Sequence, residues 1–281
     1  MGEAKRRKQA QSAGQPRPVR DAALTDKPLS SREFLDQLAP GLRDEFFRLF
    51  EATRDITRDE LGAIRSGPVS ERAEGLESLA RARHADLEDA VDEAFAASPD
   101  GVTTRRAIAC RKGCYFCCHV NVSATIPDAI LVATTIRSGP ATRFAPAVKA
   151  TAARIAGLSA AERYRRAVPC PMLENGACGI HEARPTACRA YLATDAGKCE
   201  ASLKSAQAGS EPTPVESLAY PQQLSAAING GVLQGCAEAG LQNCAVELTQ
   251  TVDRILRDAT VVDRWLSGES VFEPYHAGDS P

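Results

Sequence analysis

The chain has 281 residues, 43% apolar and 25% charged, with aromatics at 5% and a formal net charge of −2. That is ordinary globular usage, enough for one large domain or two small ones. The near-neutral total excludes a nucleic-acid polycation, and the longest unbroken apolar run, Ala129–Ala133, is far too short to cross a bilayer.

Ala, Arg, Asp, Glu and Leu dominate the composition, which favours helix over sheet. Residues 1–28 read as a disordered basic tail, poor in apolar residues. Its run Lys5-Arg6-Arg7-Lys8 is followed by no apolar stretch of a secretory signal. The run is taken as solvated rather than as a nucleic-acid arm. Without export, the expected location is cytoplasmic, with no membrane segment.

Residues 29–104 read as a helical N-terminal segment. Ser30 or Ser31 caps a first helix, with Glu33 in its first turn. A second helix runs from about Leu42 to Ile64 and offers Phe46, Leu49, Phe50 and Ile56 for burial, until Gly67-Pro68 breaks it. A third places Leu76, Leu79, Ala80, Leu87, Val91 and Phe95 at helical spacing. His84 lies on that face and is read as packed rather than as a ligand. Ser98-Pro99-Asp100-Gly101 is a turn signal.

Residues 105–200 read as an irregular cysteine-rich domain. It is interrupted by one helix starting near Pro127, with Thr125 as its cap, and another over 160–167. Residues 201–281 return to helix and pack on it. Leu241, Ala245, Leu248, Val252, Ile255 and Leu256 form an amphipathic stripe, and Val261, Val262, Trp265 and Leu266 a short closing helix. No alternation of period two and no repeat appears. The expected fold class is mainly α, with helices packed around an irregular cysteine-rich metal-binding centre.

Ten cysteines are the unusual feature, eight of them between Cys110 and Cys199. The cytosol is reducing and structural disulfides are rare there, so metal binding is preferred over reduced buried thiols or a redox set. The first stretch is Cys110-Arg-Lys-Gly-Cys114-Tyr-Phe-Cys117-Cys118-His119. Cys114 and Cys117 have the spacing of a metal knuckle, and Gly113 eases a turn. A helix through the stretch would instead put Cys110, Cys114 and Cys118 on one face. Cys117 and Cys118 are adjacent, and in regular structure adjacent side chains diverge. The second stretch holds Cys170, Cys178 and Cys188 and ends at Cys199. Asn175-Gly176 is a tight-turn signal that folds Cys170 and Cys178 together, and Arg184-Pro185 precedes a helical turn carrying Cys188.

Cys117-Cys118-His119, Cys170-Pro171-x-Leu173, Gly176-x-Cys178-x-Ile180, Arg184-Pro185 and Cys188-Arg189 together resemble the YkgJ-like, or CxxCxxCC, cysteine-cluster family, described as zinc- or iron-chelating. The resemblance covers about residues 105–200. It implies metal ligation by Cys110, Cys114, Cys117, Cys118, Cys170, Cys178, Cys188 and Cys199. Here the first spacing is x3 rather than x2, and His181 stands where the family often has Tyr, so His181 is not counted as a ligand. Arg111, Lys112, Arg184 and Arg189 flank ligands, where they either donate to sulfur or serve the surface and carbonyl caps. Cys236 and Cys244 fall outside the pattern and read as core.

The expected cofactor is a zinc or iron ion, with an iron–sulfur cluster as the alternative. The leading function is a metal-binding protein whose protein partner is open. One rival is an iron–sulfur enzyme related to flagellin lysine N-methylases, which carry a similar cluster. The other is a zinc-stabilised interaction or nucleic-acid module. No glycine-rich cofactor loop is seen, and the four histidines (84, 119, 181, 276) show no triad partners, so no catalytic residue is named.

Overall fold

The computed structural model describes residues 40–275, with side chains from residue 43 onward. The basic tail, the Ser30/Ser31 cap with Glu33, the Leu42 side chain and His276 lie outside the described residues. Within them the fold is mainly α: eleven α-helices, four short 3-10 turns and two two-residue ribbons, the first pairing β1 (Ser123–Ala124) with β4 (Val246–Glu247).

Helix α1 (Pro40–Ser66) packs along α9 (Ala219–Glu238), and small residues set the distance. A Cβ on Gly231 would stand 2.6 Å from the Phe50 carbonyl oxygen, and one on Gly235 would stand 2.7 Å from that of Arg54. The buried stripe of α1 is therefore Phe46, Thr53, Thr57 and Leu61, with Leu49 and Phe50 half-buried. Ile56, expected on that face, is 44% exposed. The threonines, not the larger apolar residue, match the glycine-lined groove. The Gly67 N–H donates to the Ala63 carbonyl at 2.9 Å and closes the helix. Pro68 then leads into a 3-10 turn, Val69–Glu71, and α2 (Arg72–Ala97) runs back.

Helix α2 buries Leu76, Leu79, Ala80 and Leu87 as its spacing predicts, together with Arg83 and His84. Val91 and Phe95 are half-buried. After the turn at 98–100 comes α3 (Gly101–Ala107). Helix α4 (Ile126–Arg137) holds the longest apolar run and is buried on nearly every side, packed by α2 and by α10 (Leu248–Arg257). Its start is the expected one: Pro127 sits in the first turn and the Thr125 hydroxyl accepts from the Asp128 N–H at 3.2 Å.

The middle of the chain holds more helix than its composition predicts. Helix α5 (Ala145–Ile155) buries only Val148, Ala152 and Ile155, a stripe too sparse to stand out among alanines. Helix α6 (Ala160–Arg165) opens on a capping box between Ser159 and Glu162. It stops short of Ala167, which takes φ 45°. The last part of the chain forms α8 (Ala196–Gln207), which carries Cys199, then α9, α10 and α11 (Val261–Leu266). Leu241 and Ala245 precede α10 rather than extending it, yet Leu241 is buried in the same core as Leu248, Val252 and Ile255. Trp265 is fully buried there, and its indole N–H donates to the Gln242 carbonyl at 3.0 Å.

Candidate metal centre

The first cysteine stretch is not a helix, so the arrangement with three sulfurs on one helical face is not adopted. Cys110 leads into a turn in which the Cys114 N–H donates to the Arg111 carbonyl at 2.9 Å. Gly113 takes φ 93° there, a conformation open to glycine and strained for other residues. A 3-10 turn, Phe116–His119, follows. Cys117 and Cys118 are consecutive within it. They stay near enough for each to shift the other's ionisation. His119 is buried, and its Nδ1 pairs with the Phe116 carbonyl at 3.4 Å.

The second stretch folds as its turn residues predict. Strands β2 (Leu173–Glu174) and β3 (Ala177–Cys178) pair antiparallel with Leu173 opposite Cys178. Asn175 and Gly176 take φ 51° and 73°, the conformation of a two-residue hairpin turn. The turn leaves just enough room for the Tyr115 ring, 3.5 Å from where a Gly176 Cβ would sit. A 3-10 turn (His181–Ala183) and Pro185 then lead into α7 (Thr186–Ala190), which carries Cys188. Cys199 lies one turn into α8, which Asp195 caps by accepting from the Lys198 N–H at 3.1 Å.

Backbone bonds tie the stretches together. The Cys170 N–H donates to the Cys118 carbonyl at 2.7 Å, and the Ala109 N–H to the Ala193 carbonyl at 2.9 Å. The Ala193 N–H reaches the Cys110 sulfur at 3.3 Å. The eight thiols are linked through a chain of neighbours rather than each to all. Cys110, Cys118, Cys178, Cys188 and Cys199 each feel Cys117. Cys199 also feels Cys110 and Cys114, and Cys188 feels Cys170 and Cys178.

As bare thiolates this would be an unfavourable arrangement. Burial and then mutual repulsion push Cys170 and Cys199 up to about 11 and Cys188 well above the ordinary thiol value. Burial likewise raises Cys110 and Cys178. Cys117 runs the other way, lowered by the hydrogen bond from Cys118, whose own value rises for the same reason. A cluster of this kind cannot ionise without a compensating positive charge, and a bound cation supplies it.

Of the four flanking cations, Arg184 bears on the most thiols, and Arg189 bears on Cys178 as well. The Arg184 charge favours the thiolate at Cys110, Cys117, Cys178 and Cys188. Arg189 holds backbone and a carboxylate: Nε donates to the Arg184 carbonyl at 2.9 Å, Nη2 to the Glu182 carbonyl at 2.7 Å, and Nη1 pairs with Glu88. Arg111 and Lys112 are exposed. Cys236 is buried in the core, as expected, and Cys244 packs against that core from the loop before β4 (Val246–Glu247).

Two buried polar groups beside the cluster carry little sequence signal. His84 Nε2 pairs with Asp128 Oδ1 at 2.6 Å, and the Thr186 hydroxyl lies 3.3 Å from Asp128 Oδ2 and 2.6 Å from Asn229 Oδ1. His84 is thus packed, as expected, and its carboxylate partner anchors α7 just before Cys188. Asp128 is the one acid in a largely apolar helix, which is the hint the sequence offers. Next to Cys170, Arg163 Nη1 pairs with Glu247 at 2.5 Å and with Asn121 Oδ1 at 2.9 Å, all well inside the protein.

The donor chemistry fits a thiolate-bound ion: the eight thiols are free. Among the described residues, no three His, Cys, Asp or Glu side chains converge tightly enough to enclose an ion as they stand. Cys110, for one, is turned toward the Tyr191 and Ala193 carbonyls, at 3.9 and 3.8 Å.

Residues 109–209 match the model of the CxxCxxCC family, whose description is "Putative zinc- or iron-chelating domain". This is the family that the cysteine pattern resembles. No curated protein and no solved structure matches the chain. No helix of the described residues is long and apolar enough to cross a membrane.

Proposed function

We propose that the cysteine cluster is a thiolate centre for zinc or iron, built jointly by both stretches. The observation that carries this reading is that eight free cysteines lie on two stretches tied together by the Cys170 N–H to Cys118 carbonyl bond and the Ala193 N–H to Cys110 sulfur contact. Such a group is unfavourable as a set of ionised thiols and favourable around a cation. All-sulfur donors suit zinc and iron alike. The matched family description, zinc- or iron-chelating, points to the same pair of metals.

The neighbourhoods support two corners. Cys118, Cys170, Cys178 and Cys188 form one set. Cys110, Cys114 and Cys199 form the other, completed by Cys117, the thiol that both sets feel. Eight thiolates then serve about two four-coordinate ions. A bound ion holds the thiolates ionised and ties the hairpin, α7 and the start of α8 to the turn at 116–119.

The test is elemental analysis of protein purified anaerobically without chelator, for the wild type and for Cys188→Ser and Cys199→Ser. The reading expects about two zinc or iron ions per wild-type chain and about one in each variant. Folded wild-type protein that takes up no metal even after reconstitution would overturn it.

A further inference from the structure

Helix α7 is five residues long, too short to hold its own place, so what grips it sets the position of Cys188. Two grips come from α2, on residues that flank Cys188. The first runs through α4: His84 Nε2 pairs with Asp128 Oδ1 at 2.6 Å, and Asp128 Oδ2 lies 3.3 Å from the Thr186 hydroxyl, all three residues being buried. The second runs through Arg189, whose three guanidinium nitrogens take three different partners. Nε donates to the Arg184 carbonyl at 2.9 Å, Nη2 to the Glu182 carbonyl at 2.7 Å, and Nη1 to Glu88 of α2. His84 and Glu88 are four residues apart, hence neighbours on one face of α2.

The two carbonyls belong to the link between β3, which carries Cys178, and α7. Arg189 fastens this link back onto α7 and fastens both to α2, so the spacing of Cys178 from Cys188 follows from one side chain. Its guanidinium end is well covered, at 9% exposure, whereas Glu88 stands at 58%. The fork to the carbonyls is therefore the protected part of the grip, and the exposed ion pair adds a smaller share. Arginine suits the task because its planar fork serves several acceptors at once, which a lysine ammonium on a flexible stem does not. His84 and Glu88 both lie outside residues 109–209, the region that matches the family model.

We propose that α2 is a positioning element of the thiolate centre, acting through Arg189 and Glu88 and through the His84–Asp128–Thr186 chain. Together they fix α7 at residues on both sides of Cys188, so that Cys178 and Cys188 are held at a set spacing for an ion. This rests on the metal-centre reading above. Arg189 and Glu88 are positioning residues, not ligands: they act on the backbone that carries the sulfurs. The helical segment ahead of the family-matched region is thereby part of the centre's frame.

The test uses the full chain under anaerobic conditions, first metal-free and then titrated with Co²⁺, whose thiolate charge-transfer bands report sulfur ligation. Wild type, Arg189→Met, Arg189→Lys, Glu88→Ala and Asp92→Asn are compared. Asp92 is the control: it stands one turn beyond Glu88 on α2 and pairs with Arg105 of α3 at 2.8 Å. In metal-free Arg189→Met, mass-mapped alkylation of Cys178 and Cys188 should quicken while Cys236, in the core, keeps its wild-type rate; a general loss of stability would quicken all three. Removing groups that orient metal ligands typically weakens binding 10–100-fold, so Arg189→Met should bind Co²⁺ about 10–100-fold more weakly. Arg189→Lys keeps the charge without the fork and should resemble Arg189→Met. Glu88→Ala should show the same changes at about 2–5-fold, and Asp92→Asn should match wild type. Wild-type alkylation and affinity in Arg189→Met, or in Arg189→Lys, overturn the proposal, as does equal quickening of Cys236. If Arg189→Met does not fold, Glu88→Ala decides: a raised ratio of Cys188 to Cys236 alkylation supports the proposal and an unchanged one overturns it. A wild-type chain that shows no thiolate band sinks the metal-centre reading itself, whereas the alkylation ratios test the grip on α7 without any metal.

Discussion

The backbone N–H of Cys170 donates to the carbonyl of Cys118 at 2.7 Å. This single bond fastens the start of the second cysteine stretch to the vicinal pair that ends the first. Cys170 is thereby fixed beside Cys118, and the hairpin that follows carries Cys178 into the same neighbourhood. Neither stretch needs to form a closed site on its own.

Cys188→Ser and Cys236→Ser should separate thiols of the centre from thiols of the core. Cys188 lies in the field of Cys117, Cys170 and Cys178, whereas Cys236 is 1% exposed and packed among apolar side chains. Cys236→Ser buries a hydroxyl and should cost about 1–3 kcal/mol in urea unfolding while metal content stays at the wild-type level. Cys188→Ser should lose metal. Metal loss in Cys236→Ser, with full retention in Cys188→Ser, would reverse the assignment.

Stability should respond to pH with opposite signs in metal-free and metal-loaded protein. In the folded chain burial holds Cys170 and Cys199 at about 11, above the ordinary thiol value of 9.0. A raised pKa stabilises the fold in its protonated form, fully below the ordinary thiol value and less and less as pH climbs through the folded value. Metal-free protein should therefore melt at falling temperature between about pH 9 and 11. Metal-loaded protein has thiolates that protons displace, so it should lose stability on acidification instead. A metal-free melting temperature that stays level or rises through the alkaline window contradicts the account.

The contact between α1 and α9 predicts a matched pair of glycine substitutions. Gly231→Ala places a methyl 2.6 Å from the Phe50 carbonyl oxygen and 2.7 Å from Thr53 Cβ, so the helices must part. It should cost about 1–3 kcal/mol. Gly62, inside α1, has nothing within 4 Å of its would-be Cβ, and Gly62→Ala should add about 0.5–1 kcal/mol. Denaturant midpoints moving in the same direction for both would contradict this packing.

Much of this was legible beforehand, for identifiable reasons. The start of α4 follows from Thr125 and Pro127, and the hairpin from Asn175-Gly176, because caps and tight turns are local and each depends on a few residues. The burial of Thr53 and Thr57 in place of Ile56 was not, since it depends on Gly231 and Gly235 far along the chain. Helix α5 escaped notice because its buried stripe is three residues in an alanine-rich stretch. The closeness of Cys117 and Cys118 depends on a 3-10 turn, whereas their adjacency suggests divergence. The Asp128–His84 pair has no motif at all and exists only once α2 and α4 have met.

That pair yields a prediction of its own. Asp128→Ala leaves His84 and Thr186 buried beside a missing acceptor and should destabilise the fold by about 3 kcal/mol or more. Asp128→Asn, which keeps an acceptor oxygen, should cost less. Because Thr186 opens the helix that carries Cys188, Asp128→Ala should also speed alkylation of Cys188 in metal-free protein. Urea midpoints and mass-mapped alkylation rates check both statements, and an Asp128→Ala variant as stable as wild type would refute them.

X-ray absorption at the metal edge of the anaerobically purified full chain tests the central claim most directly. The account predicts bound zinc or iron with a first shell of sulfur, at about 2.3 Å for zinc, and loss of sulfur scatterers per chain in Cys188→Ser. A first shell of nitrogen or oxygen without sulfur would contradict it, because the metal would then be held by something other than the cysteine cluster.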